Sequence, residues 1–434
     1  MAAARRAFEA GVWSGLHPAA RKAVLGKLAD LLLAHREELA VMEAMDAGKP
    51  VSDCLQIDIP ETANAIRWHG EAQDKLYDQI APTAPDALAL VVREPVGVVG
   101  AVLPWNFPLL MMAWKIGPAL ATGNSVVVKP AEQTSLTALR LAELALEAGV
   151  PPGVLNVITG MGPDVGEPLG RQMDVDAITF TGSTEVGRKF LEYAAQSNLK
   201  EVCLEIGGKS AAVVLSDAEY IPAIAETQAE AIFWNMGENC TANSRIIAHK
   251  DVYGALVAEL AKQVPQWTLG DPLDPATRQG PLVSDEHFAK VSSLVERGKT
   301  QGARVVAGGE GAGGLMLKPT VFAEVTPGMD IYGQEIFGPV VGVTRAESDA
   351  EAIQLANQTQ YGLAATLYTA SIAKAHRYAR KLRAGTVGVN TYSEGDISTP
   401  FGGFKASGFG GRDNGIHAHE QYTELKTIWI DLSD

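Results

Sequence analysis

Cations are scarce in this chain. Its 434 residues include 36 Lys and Arg but 51 Asp and Glu, which leaves a formal net charge of −15. A nucleic-acid binder needs surplus cations to displace the counterions of the phosphates, so this balance argues against one. No run of four or more Lys and Arg is present to hold the chain on an anionic membrane. We therefore expect neither a nucleic-acid partner nor a membrane partner.

Cysteine is equally scarce. Cys54, Cys203 and Cys240 are far apart in the sequence and odd in number. We therefore expect no disulfide framework and favour a reducing, cytoplasmic compartment. Two arginines near the start have no apolar stretch behind them, which is unlike a secretory signal.

Long apolar helices are missing as well. Residues 96–114 carry no charge, but Pro104, Asn106 and Pro108 lie in the middle of this stretch and would break a membrane-spanning helix. A buried strand, a loop and the start of a helix explain it better. The hydrophobic fraction of 47% and the charged fraction of 20% are ordinary for a folded protein. The length predicts two or three domains.

The first eighty residues are predicted to be helical. Pro18 suits the first turn of a helix, and Gly48 suits the end of that helix. A second helix is expected from Pro60 towards Tyr77.

Short β-branched runs then alternate with helical stretches such as residues 135–149. This order predicts an α/β fold with parallel sheets covered on both faces. The pattern pauses near residues 205–209 and then resumes, so we expect two sheet domains in series. The glycine-rich segment 307–314 is predicted to be a flexible surface connection. The predicted strands of the first domain lie in VGVVGAVL, NSVVVKP, GVLNVITG and DAITFTG.

Polar residues follow these strands, where open α/β sheets bind their ligands. The glycine turns miss the GxGxxG spacing, and each alone is better explained as a tight turn. Together they suit a diphosphate at a helix N-terminus. Lys129 alone is more often a solvated lysine, but with Glu132 it could bracket a ribose diol. The polar residues and turn glycines at strand ends are Asn106, Lys129, Glu132, Gly160, Gly162, Gly166, Gly182, Ser183 and Glu205.

Cys240 differs from the other two cysteines. Cys54 and Cys203 lie in a helical and a strand context, and both are expected to be structural. Cys240 has small or polar neighbours, and Gly237 allows a sharp turn before it, so the loop could expose a nucleophilic thiolate. A cysteine in a polar loop is still more often inert, and Glu238 would oppose thiolate formation if it pointed the same way.

Other groupings do not predict a site. His417 and His419 have no third ligand nearby, and no GxSxG occurs, so neither a zinc site nor a serine-hydrolase elbow is expected. Glu394 and Asp396 are expected to be solvated loop charges or to face a cationic substrate.

Seven motifs occur in an order that resembles the NAD(P)-dependent aldehyde dehydrogenase superfamily, from about Arg21 to Trp429. Within it, IRWHGEAQDK, YSEGDISTPFGG and TELKTIWI are most similar to the bacterial γ-glutamyl-γ-aminobutyraldehyde dehydrogenases of putrescine breakdown. The seven motifs are LPWNFP, VVVKPAEQT, FTGSTEVG, LEIGGKS, GENCTA, EIFGPV and PFGGFKASG.

The resemblance implies a reaction and a role for each catalytic residue. Cys240 would attack the aldehyde, and the Asn106 amide with the Cys240 backbone N–H would hold the oxyanion. Glu205, ionised near neutral pH, would activate the water that hydrolyses the thioester. The substrate would be an ω-amino or γ-glutamylamino aldehyde such as 4-(γ-glutamylamino)butanal. Apart from the resemblance, Glu394, Asp396 and Glu238 could draw in an amino- or guanidino-bearing aldehyde by charge complementarity, or could be solvated loop charges.

The resemblance also implies NAD as the cofactor, with NADP as the alternative. Glu132 would favour the 2′-hydroxyl of NAD over a 2′-phosphate. The implied cofactor-binding residues are Lys129, Glu132, Gly182, Ser183, Glu335, Phe337 and Trp105. The implied substrate tunnel, to which Trp105 would also contribute, is lined by Phe107, Met111, Trp114, Trp234 and Phe401.

For the architecture, the resemblance implies two Rossmann-like domains and a small oligomerisation sheet. Residues 1–79 and 94–206 would bind NAD, and residues 207–407 would form the catalytic domain. Segments 80–93 and 418–434 would join subunits in a homodimer or homotetramer, because exposed apolar strands favour pairing.

Three departures from the family pattern leave alternatives open. The family usually begins several dozen residues upstream, Met236 stands where Gln is usual, and Asp413 follows a one-residue insertion. A weakened scaffold, a general aliphatic or guanidino-aldehyde dehydrogenase, and an acylating relative are the alternatives. The presence of Glu205 argues against the acylating relative.

Overall fold

The computed structural model of the protein describes residues 1–392 and 395–433. Helices dominate its N-terminal part, and the later helices alternate with strands. The α-helices are α1 (Ala2–Glu9), α2 (Pro18–Ala34), α3 (Arg36–Ala47), α4 (Val51–Asp53), α5 (Ile59–Ala72), α6 (Pro108–Ala121), α7 (Leu136–Ala148), α8 (Glu167–Arg171), α9 (Thr184–Ala195), α10 (Ile221–Phe233), α11 (Lys250–Gln263), α12 (Asp285–Thr300), α13 (Asp330–Gly333), α14 (Asp349–Asn357) and α15 (Ile372–Ala379).

The N-terminal helices begin and end much as their residues predict. Pro18 occupies the first turn of α2, and Gly48 ends α3 with a φ of 75°. The single helix expected up to Gly48 is divided at His35, whose φ of −100° and ψ of 19° leave the helical region. The expected second helix corresponds to α5, which ends at Ala72 and continues as a short 3-10 turn.

Strands fill the rest of the fold and form three larger sheets and one hairpin. They are β1 (Gln79–Ala81), β2 (Ala87–Pro95), β3 (Val98–Val102), β4 (Ser125–Lys129), β5 (Leu155–Val157), β6 (Ala177–Gly182), β7 (Glu201–Ile206), β8 (Ala211–Val214), β9 (Arg245–His249), β10 (Arg304–Ala307), β11 (Gly311–Gly313), β12 (Met316–Leu317), β13 (Thr320–Ala323), β14 (Val340–Ala346), β15 (Ala364–Tyr368), β16 (Thr386–Val389), β17 (Gly408–Phe409) and β18 (Thr423–Asp431).

The first sheet has the strand order β17-β7-β6-β3-β4-β5 and is parallel except for β17. Both of its faces are buried. In β3, Val99 and Ala101 pack into one apolar cluster with α5, α6 and α7, whereas Val98 and Val102 pack into another with α9. This two-sided burial explains why the strand lacks polar residues.

The second sheet has the order β10-β13-β14-β9-β8-β15-β16 and is parallel except for β10. In chain order its first strand is β8, which follows β7 of the first sheet after a link of four residues, so the chain changes sheets between Ile206 and Ala211. Alternate residues of β8 again belong to clusters on opposite faces.

A third, antiparallel sheet joins β1, β2 and β18, so residues distant in sequence pair directly, as Leu90 does with Ile428. The glycine-rich segment 307–314 is not wholly a loop, and that prediction is wrong in part. Residues Gly311–Gly313 form β11 and pair with β12, because Gly313 and Gly314 adopt positive φ values that close a tight hairpin.

Among the described residues, none of the helices combines the length and apolar character needed to cross a membrane.

Candidate active site

A sharp turn carries Cys240. The chain leaves α10 through a 3-10 segment, Trp234–Gly237, in which Asn235, Met236 and Gly237 all have positive φ. A Cβ on Gly237 would lie 2.2 Å from the backbone of Gly338, so only glycine fits where these two loops meet. Cys240 follows this turn and is partly exposed, whereas Cys54 and Cys203 are buried.

Asn106 is fixed against the same turn. The side-chain nitrogen of Asn106 donates to the backbone carbonyl of Glu238 at 3.0 Å. The backbone carbonyl of Asn106 accepts from the Asn235 side chain, also at 3.0 Å. Both asparagines are buried. An amide NH2 carries two hydrogens, so one N–H of Asn106 is held by the loop while the other remains for a ligand near Cys240.

Cys240 lies in the wall between two cavities. The first, the inner cavity, has a volume of about 210 Å³, and the second, the aromatic cavity, has about 240 Å³. The inner cavity brings together eight of the predicted residues besides Cys240: Trp105, Asn106, Met111, Gly182, Ser183, Glu205, Glu335 and Phe337. The aromatic cavity is lined by the five predicted tunnel residues, Phe107, Met111, Trp114, Trp234 and Phe401, of which Met111 reaches both cavities.

A third cavity, the strand-end cavity, continues from the inner one past Trp105, Gly182 and Ser183. Lys129 and Glu132 line it, and Lys129 Nζ donates to Glu132 Oε2 at 2.9 Å. Partial burial raises the pKa of Glu132, but the hydrogen bond and charge of Lys129 outweigh it, so the pKa lies below its usual value. Glu132 is therefore an ionised acceptor at the edge of the first sheet.

Ser183 begins α9 at this edge. Its hydroxyl accepts from the Val186 backbone N–H at 3.3 Å, which makes it the N-cap. The N-terminus of α9 therefore opens between the inner and strand-end cavities, where backbone N–H groups and the helix dipole favour an anion.

Glu205 is the second-to-last residue of β7 and is almost completely buried. Its Oε1 has no hydrogen-bond partner among the described residues. Burial raises its pKa to about 8, Lys115 lowers it and Asp413 raises it. Burial disfavours the charged form, so the Glu205 carboxyl holds its proton to a higher pH than an exposed glutamate does.

The sequence reasoning missed the pair beside Glu205. Lys115, on α6, donates to Asp413 Oδ2 at 2.6 Å, and both side chains are buried. The signal in the sequence was weak, since it consisted of one lysine inside an apolar helix. Asp413 was noted only because it follows an insertion, and it also pairs with the Phe401 backbone in an isolated bridge.

Glu335 and Phe337 line the inner cavity, where Glu335 lies beside the glycines that follow β7. Glu335 Oε1 accepts from the Gly208 backbone N–H at 2.7 Å, and a Cβ on Gly207 would lie 2.6 Å from Glu335 Oε2. The rings of Trp105 and Phe337 meet edge to face with centroids 5.2 Å apart. Burial raises the pKa of Glu335, while the Gly208 N–H opposes the shift.

The three acids expected near the tunnel differ in position. Asp396 lines the aromatic cavity. Glu238 does not point there, and that expectation is wrong: its Oε1 accepts from the Val283 N–H at 3.1 Å, and its side chain is buried. Glu394 lies outside the described residues. Glu61, on α5, lines the aromatic cavity and was not anticipated, because no motif marks it in the sequence.

The described part of the chain holds no group of three His, Cys, Asp or Glu side chains suited to a metal ion. His419 packs instead against His69, with ring centroids 5.0 Å apart.

Comparisons with known proteins cover almost the whole chain. A sequence model of the aldehyde dehydrogenase family matches residues 1–428. The chain is 57% identical over 433 residues to the aminoacetaldehyde dehydrogenase of Pseudomonas aeruginosa, covering 100% of this chain and 87% of that protein.

Two solved structures share the fold. The crystal structure of indole-3-acetaldehyde dehydrogenase with NAD+ has a TM-score of 0.98 and 51% identity, with 99% of this chain and 88% of that one covered. The γ-glutamyl-γ-aminobutyraldehyde dehydrogenase of Burkholderia cenocepacia has a TM-score of 0.97 and 50% identity, with 100% of this chain and 88% of that one covered. The predicted α/β fold with two parallel sheets and a small third sheet is confirmed.

Proposed function

This chain belongs to the aldehyde dehydrogenase family and is an NAD-dependent oxidoreductase, and from that premise we propose that it oxidises an ω-amino or γ-glutamylamino aldehyde, such as 4-(γ-glutamylamino)butanal, to the carboxylic acid. The observation that carries the substrate proposal is the aromatic cavity, in which two carboxylates, Glu61 and Asp396, accompany the rings beside Cys240.

The inner and strand-end cavities fit NAD. They are continuous past Trp105 and Ser183, the N-terminus of α9 offers backbone donors for a diphosphate, and Glu132 offers an acceptor for ribose hydroxyls. We assign Lys129, Glu132, Gly182 and Ser183 to the adenosine and diphosphate half. Glu335, Phe337 and Trp105 would hold the nicotinamide half. When bound, NAD supplies the acceptor for a hydride.

Cys240 would begin the reaction. Its sulfur adds to the aldehyde carbon, and the carbonyl oxygen becomes an oxyanion. The second N–H of the Asn106 amide and the Cys240 backbone N–H would hold that oxygen; such a donor is typically worth about 3–4 kcal/mol in the transition state. Loss of hydride from the carbon then leaves a thioester on Cys240.

Glu205 would complete the turnover. Its carboxylate takes a proton from water as the water oxygen attacks the thioester carbon, and the C–S bond breaks to release the acid and the thiolate. The unpartnered Oε1 of Glu205 is available for that water within the inner cavity. The buried pair beside Glu205 would adjust its pKa, which Lys115 lowers and Asp413 raises.

The substrate proposal can be tested by pairing aldehydes. The specificity constant, kcat/KM, is measured from NADH absorbance for ω-amino aldehydes and for plain aliphatic aldehydes of matched length. We expect the amino aldehydes to be preferred, because an ammonium group gains charge attraction from Glu61 and Asp396. Glu61→Gln and Asp396→Asn should reduce the preference while leaving the aliphatic aldehyde unaffected.

Equal constants across each matched pair would contradict the proposal. Cys240→Ala, which should show no turnover with any aldehyde, controls for background reduction of NAD.

An aromatic aldehyde is the second candidate. The rings of Trp114 and Phe401 meet at 5.1 Å and those of Phe107 and Trp234 at 5.4 Å, which gives the cavity wide apolar walls. A structural relative acts, by its name, on indole-3-acetaldehyde. A higher constant for an aryl acetaldehyde than for any amino aldehyde would favour this candidate.

We also propose the domain division and a role for the third sheet. Residues 1–79 and 94–206 would form the NAD-binding unit and 207–407 the catalytic unit, in line with the change of sheet after Ile206. Segment 80–93 contains most of β2 and segment 418–434 contains β18, which leaves Leu425 and Trp429 exposed. A second copy of the chain would cover this face, giving a homodimer or homotetramer.

A further inference from the structure

His287 faces the inner cavity but has no part in the chemistry above. It lies in the first turn of α12, where the Ser284 side chain caps the helix by accepting from the His287 backbone N–H. Its side chain is 9% exposed, so the ring is enclosed by protein on nearly every side.

One ring nitrogen holds the loop that carries Phe337. His287 Nε2 lies 2.6 Å from the Phe337 carbonyl oxygen. A carbonyl can only accept, so Nε2 carries the hydrogen. Burial lowers the pKa of His287 to about 4, which keeps the ring neutral with a single N–H at physiological pH. Phe337 has a φ of 59°, a left-handed backbone that a hydrogen bond helps to retain.

The same ring touches the loop that carries Cys240. His287 Nε2 is 3.5 Å from Glu238 Oε1, and Glu238 is two residues before Cys240. The Glu238 carbonyl is also the acceptor of the Asn106 amide. Close to this point the two loops meet without a side chain between them, at Gly237 and Gly338.

His287 also buttresses an aromatic wall. Its ring meets Trp105 edge to face at 4.9 Å, and Trp105 in turn meets Phe337 at 5.2 Å. One side chain therefore contacts both the wall formed by Trp105 and Phe337 and the loop that carries Cys240.

We propose that His287 is a positioning residue that fixes the Phe337 loop against the Glu238–Cys240 loop, so that the cofactor wall and the thiol keep one relative position. The Nε2–H group holds the Phe337 loop through its hydrogen bond to the Phe337 carbonyl, and the imidazole ring packs against Trp105. The inference rests on NAD use and on Cys240. It applies to any aldehyde, so its test does not depend on the proposed substrate.

Two substitutions separate the donor from the ring. His287→Gln keeps an N–H at a similar reach but loses the ring. His287→Phe keeps a ring and loses the donor. We expect His287→Phe to weaken NAD binding about tenfold, as loss of one buried hydrogen bond does. His287→Gln should stay within about twofold of the unsubstituted protein.

The measurements do not require turnover. The Kd for NAD is determined by quenching of tryptophan fluorescence, and the thiol geometry is followed as the rate of Cys240 alkylation by iodoacetamide without NAD. We expect the Kd for NAD and the alkylation rate of Cys240 to change in His287→Phe. In His287→Gln both should stay close to the values of the unsubstituted protein. Stability is monitored through Tm. His249→Phe, which removes a similarly buried helix-capping histidine away from the cavities, is the matched control and should lower Tm without changing either quantity.

The proposal is overturned if His287→Phe binds NAD and alkylates like the unsubstituted protein, or if His287→Gln is as impaired as His287→Phe. If His287→Phe does not fold, His287→Ala, which adds no atoms, provides the same comparison with His287→Gln.

Discussion

Glu205 illustrates how strongly burial acts on a single side chain. A raised pKa of about 8 means that the carboxyl is mostly protonated at pH 7 and becomes a base only as pH rises. The lysine that opposes this shift, Lys115, is itself paired with Asp413 and so stabilises the Glu205 carboxylate only in part. Deacylation should therefore be the pH-sensitive half of the reaction.

The first prediction concerns that base. Steady-state turnover should rise by roughly tenfold per pH unit well below pH 8 and level off above pH 8, because only ionised Glu205 activates water. Glu205→Gln should keep the initial burst of NADH and slow the steady state by about 100-fold. Stopped-flow and steady-state NADH absorbance measure the two phases. A Glu205→Gln enzyme with an unchanged steady state would remove the role assigned to this residue.

The second prediction concerns the choice of cofactor. Glu132 is ionised and placed beside Lys129, so a 2′-phosphate would meet a negative charge there and NAD should be preferred over NADP. Glu132→Gln should narrow the preference by about tenfold, which corresponds to about 1.4 kcal/mol. The ratio of specificity constants for NAD and NADP reports the change. A clear preference of the unsubstituted enzyme for NADP would contradict the assignment.

Between elements, the packing of α5 against the segment that leads into β18 depends on two buried histidines. His69, on α5, has neither ring nitrogen paired with a described residue, and His419 lies in the 3-10 segment Ile416–Tyr422. Burial lowers the pKa of both, with the charge of His419 adding to the effect at His69. Both rings are therefore neutral in the folded protein.

The third prediction follows from that neutrality. A group whose folded pKa is depressed takes up protons more readily when unfolded, so this packing is fully stabilising above the unfolded pKa of about 6.5 and weakens as pH falls below it. His69→Leu should reduce the loss of Tm between pH 7.5 and pH 5. His376→Leu, at an exposed position on α15, is the control and should leave that difference unchanged. If His69→Leu loses as much Tm between pH 7.5 and pH 5 as the unsubstituted protein does, the explanation is contradicted.

For the molecule as a whole, the third sheet leaves apolar side chains exposed along an edge strand. It has three strands, and β18 exposes Leu425 at 68% and Trp429 at 67%. Apolar side chains exposed along an edge strand favour association with another chain.

The fourth prediction concerns this surface. Trp429→Glu should lower the molar mass in solution, because a buried carboxylate in the interface would be unpaired. Light scattering after size-exclusion chromatography measures the mass. Met173→Glu, at a residue 62% exposed outside this sheet, should leave the mass unchanged. A Trp429→Glu protein of unaltered mass would place the interface elsewhere.

Much of the site was predictable because its residues follow strands. Parallel strands end at one edge of a sheet, so Lys129, Ser183 and Glu205 had to lie near one another once the strands were recognised. Glu61, Lys115 and His287 were not predictable in this way. They lie on helices α5, α6 and α12, and periodicity shows that a helical residue faces inward without showing which distant loop it meets.

The sequence by itself determined the fold class, the family and the chemical character of the candidate nucleophile, because strand patterns and short motifs are local properties of the chain. Only the tertiary structure decided the state of Glu205, the direction of the Glu238 side chain and the contacts of His287. These depend on burial and on neighbours as far away in sequence as Asp413 is from Lys115. Desolvation and charge act through space, and spacing along the chain does not report them.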